Sequence, residues 1–212
     1  MARLVLLALE FSVLFFGLPL LIYFRILPNL PIPYLILVGV GTFLFLYFDP
    51  DFRFGPFSWD VVRQHLVPLL VRDALFLIAL GVAVWIFAPD LLFSFVKRNP
   101  RFWALVMVFY PLLSVYPQEL LYRAFFFHRY ARLFGSGWGV LLASAVAFGF
   151  VHIIFGNWLS VGLCVIGGLL FSLTYHSSSS LLLTCIDHAI FGDFIFTIGL
   201  GHFFYHGSGL RF

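Results

Sequence analysis

Apolar residues run along this chain in long stretches broken by short polar punctuation, and nowhere alternate with polar ones at the two-residue period of a half-buried strand. The pattern predicts membrane-spanning helices, which satisfy every backbone N–H and C=O within one segment of hydrocarbon. Spans are expected near residues 3–25, 32–48, 68–88, 102–131, 139–155, 159–175 and 180–200, each long enough or nearly so for a hydrocarbon core of about 30 Å. The expected fold class is all-α: a polytopic transmembrane helical bundle of about seven to eight spans, with interfacial helices. "FDPDFRFGPFSWDVVRQHLVPLL" mixes Asp49, Asp51, Arg53, Asp60 and Arg63 with Phe and Trp, as a loop leading into an interfacial amphipathic helix should. "APDLLFSFVKRNPRFW" reads as a second such connector with Trp103 as an interface anchor, and "YHSSSS" as a tight polar turn between the last two spans.

Composition agrees with the pattern. A 212-residue chain that is 63% hydrophobic and only 10% charged cannot hide its apolar surface in one soluble core, so it is expected to be an integral membrane protein in contact with lipid. The net charge of +3 is small and spread along the chain, which argues against a nucleic-acid partner. Cys164 and Cys185 lie inside apolar runs without CxxC spacing and read as packing residues. The first segment carries Arg3 like a signal peptide, but Glu10 interrupts it and no small-x-small site closes it, so it is expected to be a retained span. No internal repeat is visible, so residues 1–212 are treated as one membrane domain. Basic residues fall on both sides of the expected spans and leave the orientation open.

Against this background the ionisable groups within the spans stand out. Glutamate occurs only at positions 10 and 119, and a carboxylate at bilayer depth costs a few kcal/mol on insertion scales. In "YPQELLYRAFFFHRY", Arg123 follows Glu119 by four residues on the same helix face, and taken alone the two read as a self-neutralising ion pair. Two later spans carry His152 in "FGFVHIIF" and His188 in "CIDHAIFGDF", with Asp187 and Asp193 beside it. At about 1.5 Å per residue, Glu119 lies roughly 15 to 20 Å deep, His152 about 20 Å and His188 about 12 to 15 Å from the same face. A carboxylate and two imidazoles sharing a dry pocket can deprotonate a water and hold an oxyanion, which is the chemistry of amide hydrolysis. The same three groups suit a zinc site, although the chain has no HExxH.

The three segments resemble the motifs of the CPBP family of intramembrane peptidases, which includes CAAX-processing endopeptidases and bacteriocin-processing or Abi-like immunity proteins. The family's EExxxR, FxxxH and HxxxN/D read here as "QELLYR" (118–123), "FGFVH" (148–152) and "HAIFGD" (188–193). The resemblance spans residues 101–205, with 1–100 as family-variable spans. It implies a glutamic intramembrane endopeptidase in which Glu119 and His152 activate water and His188 holds the oxyanion, with Gln118, Arg123, Phe148 and Asp193 in support. It also implies a hydrophobic peptide or membrane-anchored protein as substrate. No cofactor is expected; the alternative is zinc on Glu119, His152 and His188.

Two departures qualify that expectation. Gln118 stands where the family has its first glutamate, and an amide has no useful basicity. Gly192 stands where the motif has Asn or Asp, with Asp193 about 100° further round a regular helix. Asn157 is a further candidate amide donor to a substrate carbonyl, against its ordinary role as a turn residue. Gly167 and Gly168 read as close-packing positions, and His128, His176, His202 and His206 as residues without chemistry near span ends. The competing functions are a catalytically inactive relative that binds a membrane partner, and a proton-coupled carrier using the same ionisable groups. A hydrophobic chain of this length is expected in a bacterial inner membrane.

Overall fold

The computed structural model describes residues 2–54 and 58–204; His206, read above as a residue without chemistry, lies outside them. Eight helices follow in chain order: α1 (Ala2–Tyr23), α2 (Pro31–Phe48), α3 (Trp59–Phe87), α4 (Ser94–Arg98), α5 (Pro100–Phe134), α6 (Trp138–Phe155), α7 (Trp158–Ser178) and α8 (Leu181–Thr197). No strand occurs among the described residues. Six of the helices, α1–α3 and α5–α7, are long and apolar enough to cross a membrane. That is fewer than the seven to eight expected. The difference is α8, whose 17 residues reach only about 25 Å.

Helix boundaries follow from local chemistry. Ser58, Asn99, Asn157 and Ser180 each cap a helix start by accepting a hydrogen bond from a backbone N–H two or three residues inside it. Pro31 and Pro100 occupy first-turn positions, where the missing N–H costs nothing. The serine run behaves as expected: α7 ends at Ser178, Ser179 turns in the left-handed region at φ 51°, and Ser180 caps α8. The expected interfacial helix near residue 60 is not separate. It continues through Pro68 into the span as one 29-residue helix, roughly 43 Å long. The second connector holds a short 3₁₀ turn at Pro89–Leu91 and the one-turn α4. Trp103 is turned into the bundle, its indole N–H donating to Thr197 Oγ1 on α8 at 3.0 Å.

Helix α5 forms the centre, touching α1, α2, α6 and α8. Its residues Leu120–Phe126 are buried without interruption. The outer helices turn Val13, Leu37, Phe48, Leu75 and Phe87 outward, which is favourable only against lipid. Helices α6 and α7 pack most closely, and Gly168 permits it: a Cβ there would press on Phe148 and on the backbone of Ala145. The same close approach leaves the Gly168 carbonyl within reach of α5. Cys164 and Cys185 are free thiols.

Helix α5 departs from α-helical geometry twice, in π-helical stretches at Pro111–Val115 and Leu120–Phe125. Pro111 lacks an N–H and its ring crowds the carbonyl four residues back, which favours a widened turn. Tyr110 and Glu119 are nine residues apart and would stand about 180° apart on an uninterrupted α-helix. The extra residue of a π turn takes back roughly 100°, so both can address α8.

Candidate active site

Glu119 and Arg123 are fully buried, and their Oε2 and Nε atoms lie 3.2 Å apart as an ion pair. The guanidinium also donates from Nη2 to the Gly168 carbonyl at 2.9 Å. It faces the rings of Phe148 and Phe171 at 4.8 and 5.4 Å, contacts that favour a desolvated cation by about 0.5–2 kcal/mol each. Phe148 thus helps hold the charge that balances Glu119.

The other oxygen of Glu119 reaches α8. His188 Nδ1 lies 2.7 Å from Glu119 Oε1, and with a carboxylate as acceptor the proton is on Nδ1. His188 Nε2 is then left to the Tyr110 hydroxyl, 3.1 Å away. The imidazole stacks on Phe171 with centroids 4.5 Å apart and meets the Phe148 ring at 5.3 Å, nearly perpendicular. A continuous polar chain therefore runs from Arg123 through Glu119 and His188 to Tyr110, walled by aromatic rings.

His152 sits at the 3₁₀ end of α6, on another edge of Phe148, with ring centroids 5.0 Å apart. Its Nδ1 donates to the Phe148 carbonyl at 2.7 Å, which leaves an Nε2 lone pair in the neutral ring. Phe148 therefore touches both imidazoles. No hydrogen bond joins His152 to Glu119 or His188 among the described residues, nor do three His, Cys, Asp or Glu side chains there converge as a metal site would require.

The supporting candidates are placed as follows. Gln118 donates from Nε2 to Ser114 Oγ at 2.7 Å, and its buried Oε1 has no hydrogen-bond partner among the described residues. Asn157 does not reach the site. Its Oδ1 caps α7 at Ser160, and its Nδ2 donates to the carbonyls of Phe155 and Phe203. Asp193 remains off the His188 face, because α8 is regularly helical through Leu181–Thr197 and supplies no distortion to swing it into the Gly192 position.

Residues 99–192 match the family model described as type II CAAX prenyl endopeptidase Rce1-like. Over this segment the chain is similar to the Rce1-like family of membrane proteases. Comparison with curated proteins and with solved structures gave no match. The Rce1-like segment covers somewhat under half of the chain, from the Asn99 cap of α5 to Gly192 on α8. It contains Tyr110, Glu119, Arg123, His152 and His188, and its family supports the fold of a CAAX-type intramembrane endopeptidase.

Sequence reasoning overlooked three polar clusters. Arg72 on α3 lies 2.7 Å from both Asp73 and Asp187, while Thr174 hydrogen-bonds Asp187. Arg72 and Asp73 stand in the sequence as charges inside an apolar run. Glu10 receives hydrogen bonds from Arg129 at 2.7 and 3.0 Å and from Tyr130 at 3.0 Å, partners the sequence left unnamed. His128 donates to Asp49 at 3.0 Å, so it links α5 to the end of α2.

Proposed function

We propose that this protein is an intramembrane endopeptidase that hydrolyses a peptide bond of a hydrophobic, membrane-presented substrate. The observation that carries the reading is the buried Glu119–His188 hydrogen bond of 2.7 Å within a protease-family segment. Glu119 is fully buried with its oxygens facing His188 and Arg123, so it acts through the imidazole, not as the base that meets water. It holds the Nδ1 proton and stabilises positive charge on His188, and any proton His188 accepts or gives passes through Nε2.

His152 supplies the second proton site. With Nδ1–H held by the Phe148 carbonyl, its Nε2 lone pair takes the proton of the attacking water as the O–C bond forms. The amide carbonyl becomes a tetrahedral oxyanion on the His188 side of Phe148, where Nε2–H of a protonated His188, its charge offset by Glu119, donates to it. Proton return to the amide nitrogen and cleavage of the C–N bond release an amine and a carboxylate. In this account Gln118 binds Ser114 and takes no proton, and no step requires a metal. The name of the matched family makes a prenylated C-terminal CAAX peptide the first substrate to test.

One observation favours a second reading, a binding protein without catalysis: position 118 carries an amide and not a carboxylate. The two differ in outcome. Hydrolysis carried out in heavy-oxygen water writes ¹⁸O into the new C-terminus, and its loss in His152→Ala supports the peptidase. A cellular function that survives His152→Ala, with no labelled termini from the wild type, favours the binder.

A further inference from the structure

We propose that Tyr110 is a positioning residue for His188, and that the missing side chain at Gly192 is what admits it. Gly192 lies four residues after His188 on regular helix, only about 40° round the axis and one turn on. A side chain from this position would be the natural partner for the imidazole, yet glycine has none. The space is filled from α5: a Cβ built on Gly192 would overlap the ring and hydroxyl of Tyr110. That hydroxyl lies 3.1 Å from His188 Nε2.

The two partners of the imidazole act in the same sense. Glu119 accepts from Nδ1–H, and the Tyr110 O–H donates to Nε2, so each selects the same neutral tautomer. Both belong to α5, which therefore holds the α8 histidine at both ring nitrogens. Phe171, stacked on the imidazole, closes one face. Tyr110 also packs edge-on against Phe196 at 5.3 Å, which braces the phenol. The π turn after Tyr110 is the local feature that lets one helix provide both ends of this clamp.

The catalytic consequence rests on the peptidase reading; the hydrogen bond does not. The test therefore has two readouts on the full-length protein in lipid nanodiscs. In the first, ring-¹⁵N histidine NMR identifies His188 by the resonances lost in His188→Gln. Tyr110→Phe keeps the ring but removes the donor, and Gly192→Ala expels the ring with a single methyl group. Both are expected to shift the His188 Nε2 resonance and mix its tautomers; unchanged Nε2 resonances in both variants overturn the proposal.

The second readout is kinetic, on a peptide spanning a site that the ¹⁸O experiment identifies. Tyr110→Phe is expected to lower kcat about 10- to 100-fold with KM within about twofold, as for a misplaced catalytic group. The double variant Tyr110→Ala with Gly192→Asn, which offers an amide from α8 instead, is expected to recover most of the loss. Full kcat in Tyr110→Phe overturns the proposal and leaves the peptidase reading standing. A wild type that hydrolyses nothing ends the peptidase reading, while the NMR readout still decides the Tyr110–His188 contact.

Discussion

Glu119 and His188 lie on different helices, 69 positions apart, and are joined by a 2.7 Å hydrogen bond with the carboxylate fully buried. A carboxylate so placed orients its imidazole and offsets positive charge on it. Glu119→Gln preserves shape but removes the charge. It is expected to reduce kcat by about 10²- to 10⁴-fold, the range associated with general acid–base catalysis. Progress curves with purified wild type and variant check this; equal kcat would remove Glu119 from the mechanism.

The same variant bears on stability through Arg123. With Glu119 neutral, Arg123 is a buried cation whose remaining hydrogen bond and ring contacts among the described residues are with the Gly168 carbonyl and two aromatic faces. Removing one partner of a buried ion pair costs about 3–5 kcal/mol, so Glu119→Gln is expected to unfold earlier than wild type. Glu119→Gln combined with Arg123→Met is expected to recover part of that loss. Thermal unfolding in detergent measures both, and an additive double variant would contradict the coupling.

Arg72 stands between Asp73 and Asp187, which are almost completely buried. Arg72→Leu leaves two carboxylates facing each other and is expected to destabilise by about 3 kcal/mol, the low end for a buried pair because Arg72 is 28% exposed. Asp73→Asn is expected to be milder, since one guanidinium then matches one carboxylate. Unfolding midpoints for the two variants should rank in that order.

Glu10 and Arg129 provide the contrast. Their side chains are about a third exposed, and a double-mutant cycle is expected to give a coupling of about 1 kcal/mol or less. A coupling of several kcal/mol would mean that lipid excludes water from this pair.

At the end of α2, the hydrogen bond from His128, followed by that from the Asp51 backbone N–H, holds the Asp49 carboxyl below its ordinary 3.8. With the folded value below the unfolded one, the contribution to stability is fully present above 3.8. It is lost as pH falls through the lowered value. Carboxylate ¹³C titration should find the Asp49 midpoint below 3.8 in the wild type and closer to 3.8 in His128→Ala. A wild-type midpoint at or above 3.8 would contradict the contact.

The polar end of this structure was readable because ionisable residues are rare in an apolar chain and each requires a partner. Glu119 and Arg123 follow directly from four-residue helical spacing, and depth along the helices brings His188 to the level of Glu119. Tyr110 was not readable, since nine residues on a regular helix put it opposite Glu119, and only the widened turn at Pro111 reverses that. The Arg72 cluster was missed for a different reason. Charges and prolines before residue 68 suggested a connector, whereas α3 is continuous from Trp59 and carries Arg72 into the bundle. The shortness of α8 follows from Ser180 and Gly199, which set its start and the turn beyond its end.

The proposed reaction is hydrolysis of peptide bonds within the membrane by the Glu119–His188 and His152 groups. Its most direct test is incubation of membranes containing the full-length protein in H₂¹⁸O, followed by mass spectrometry of newly formed C-termini. The account predicts ¹⁸O-labelled termini at hydrophobic, membrane-presented sites with the wild type, and their absence with His188→Ala and His152→Ala. The same labelled termini from wild type and both variants, or none from the wild type, would contradict it.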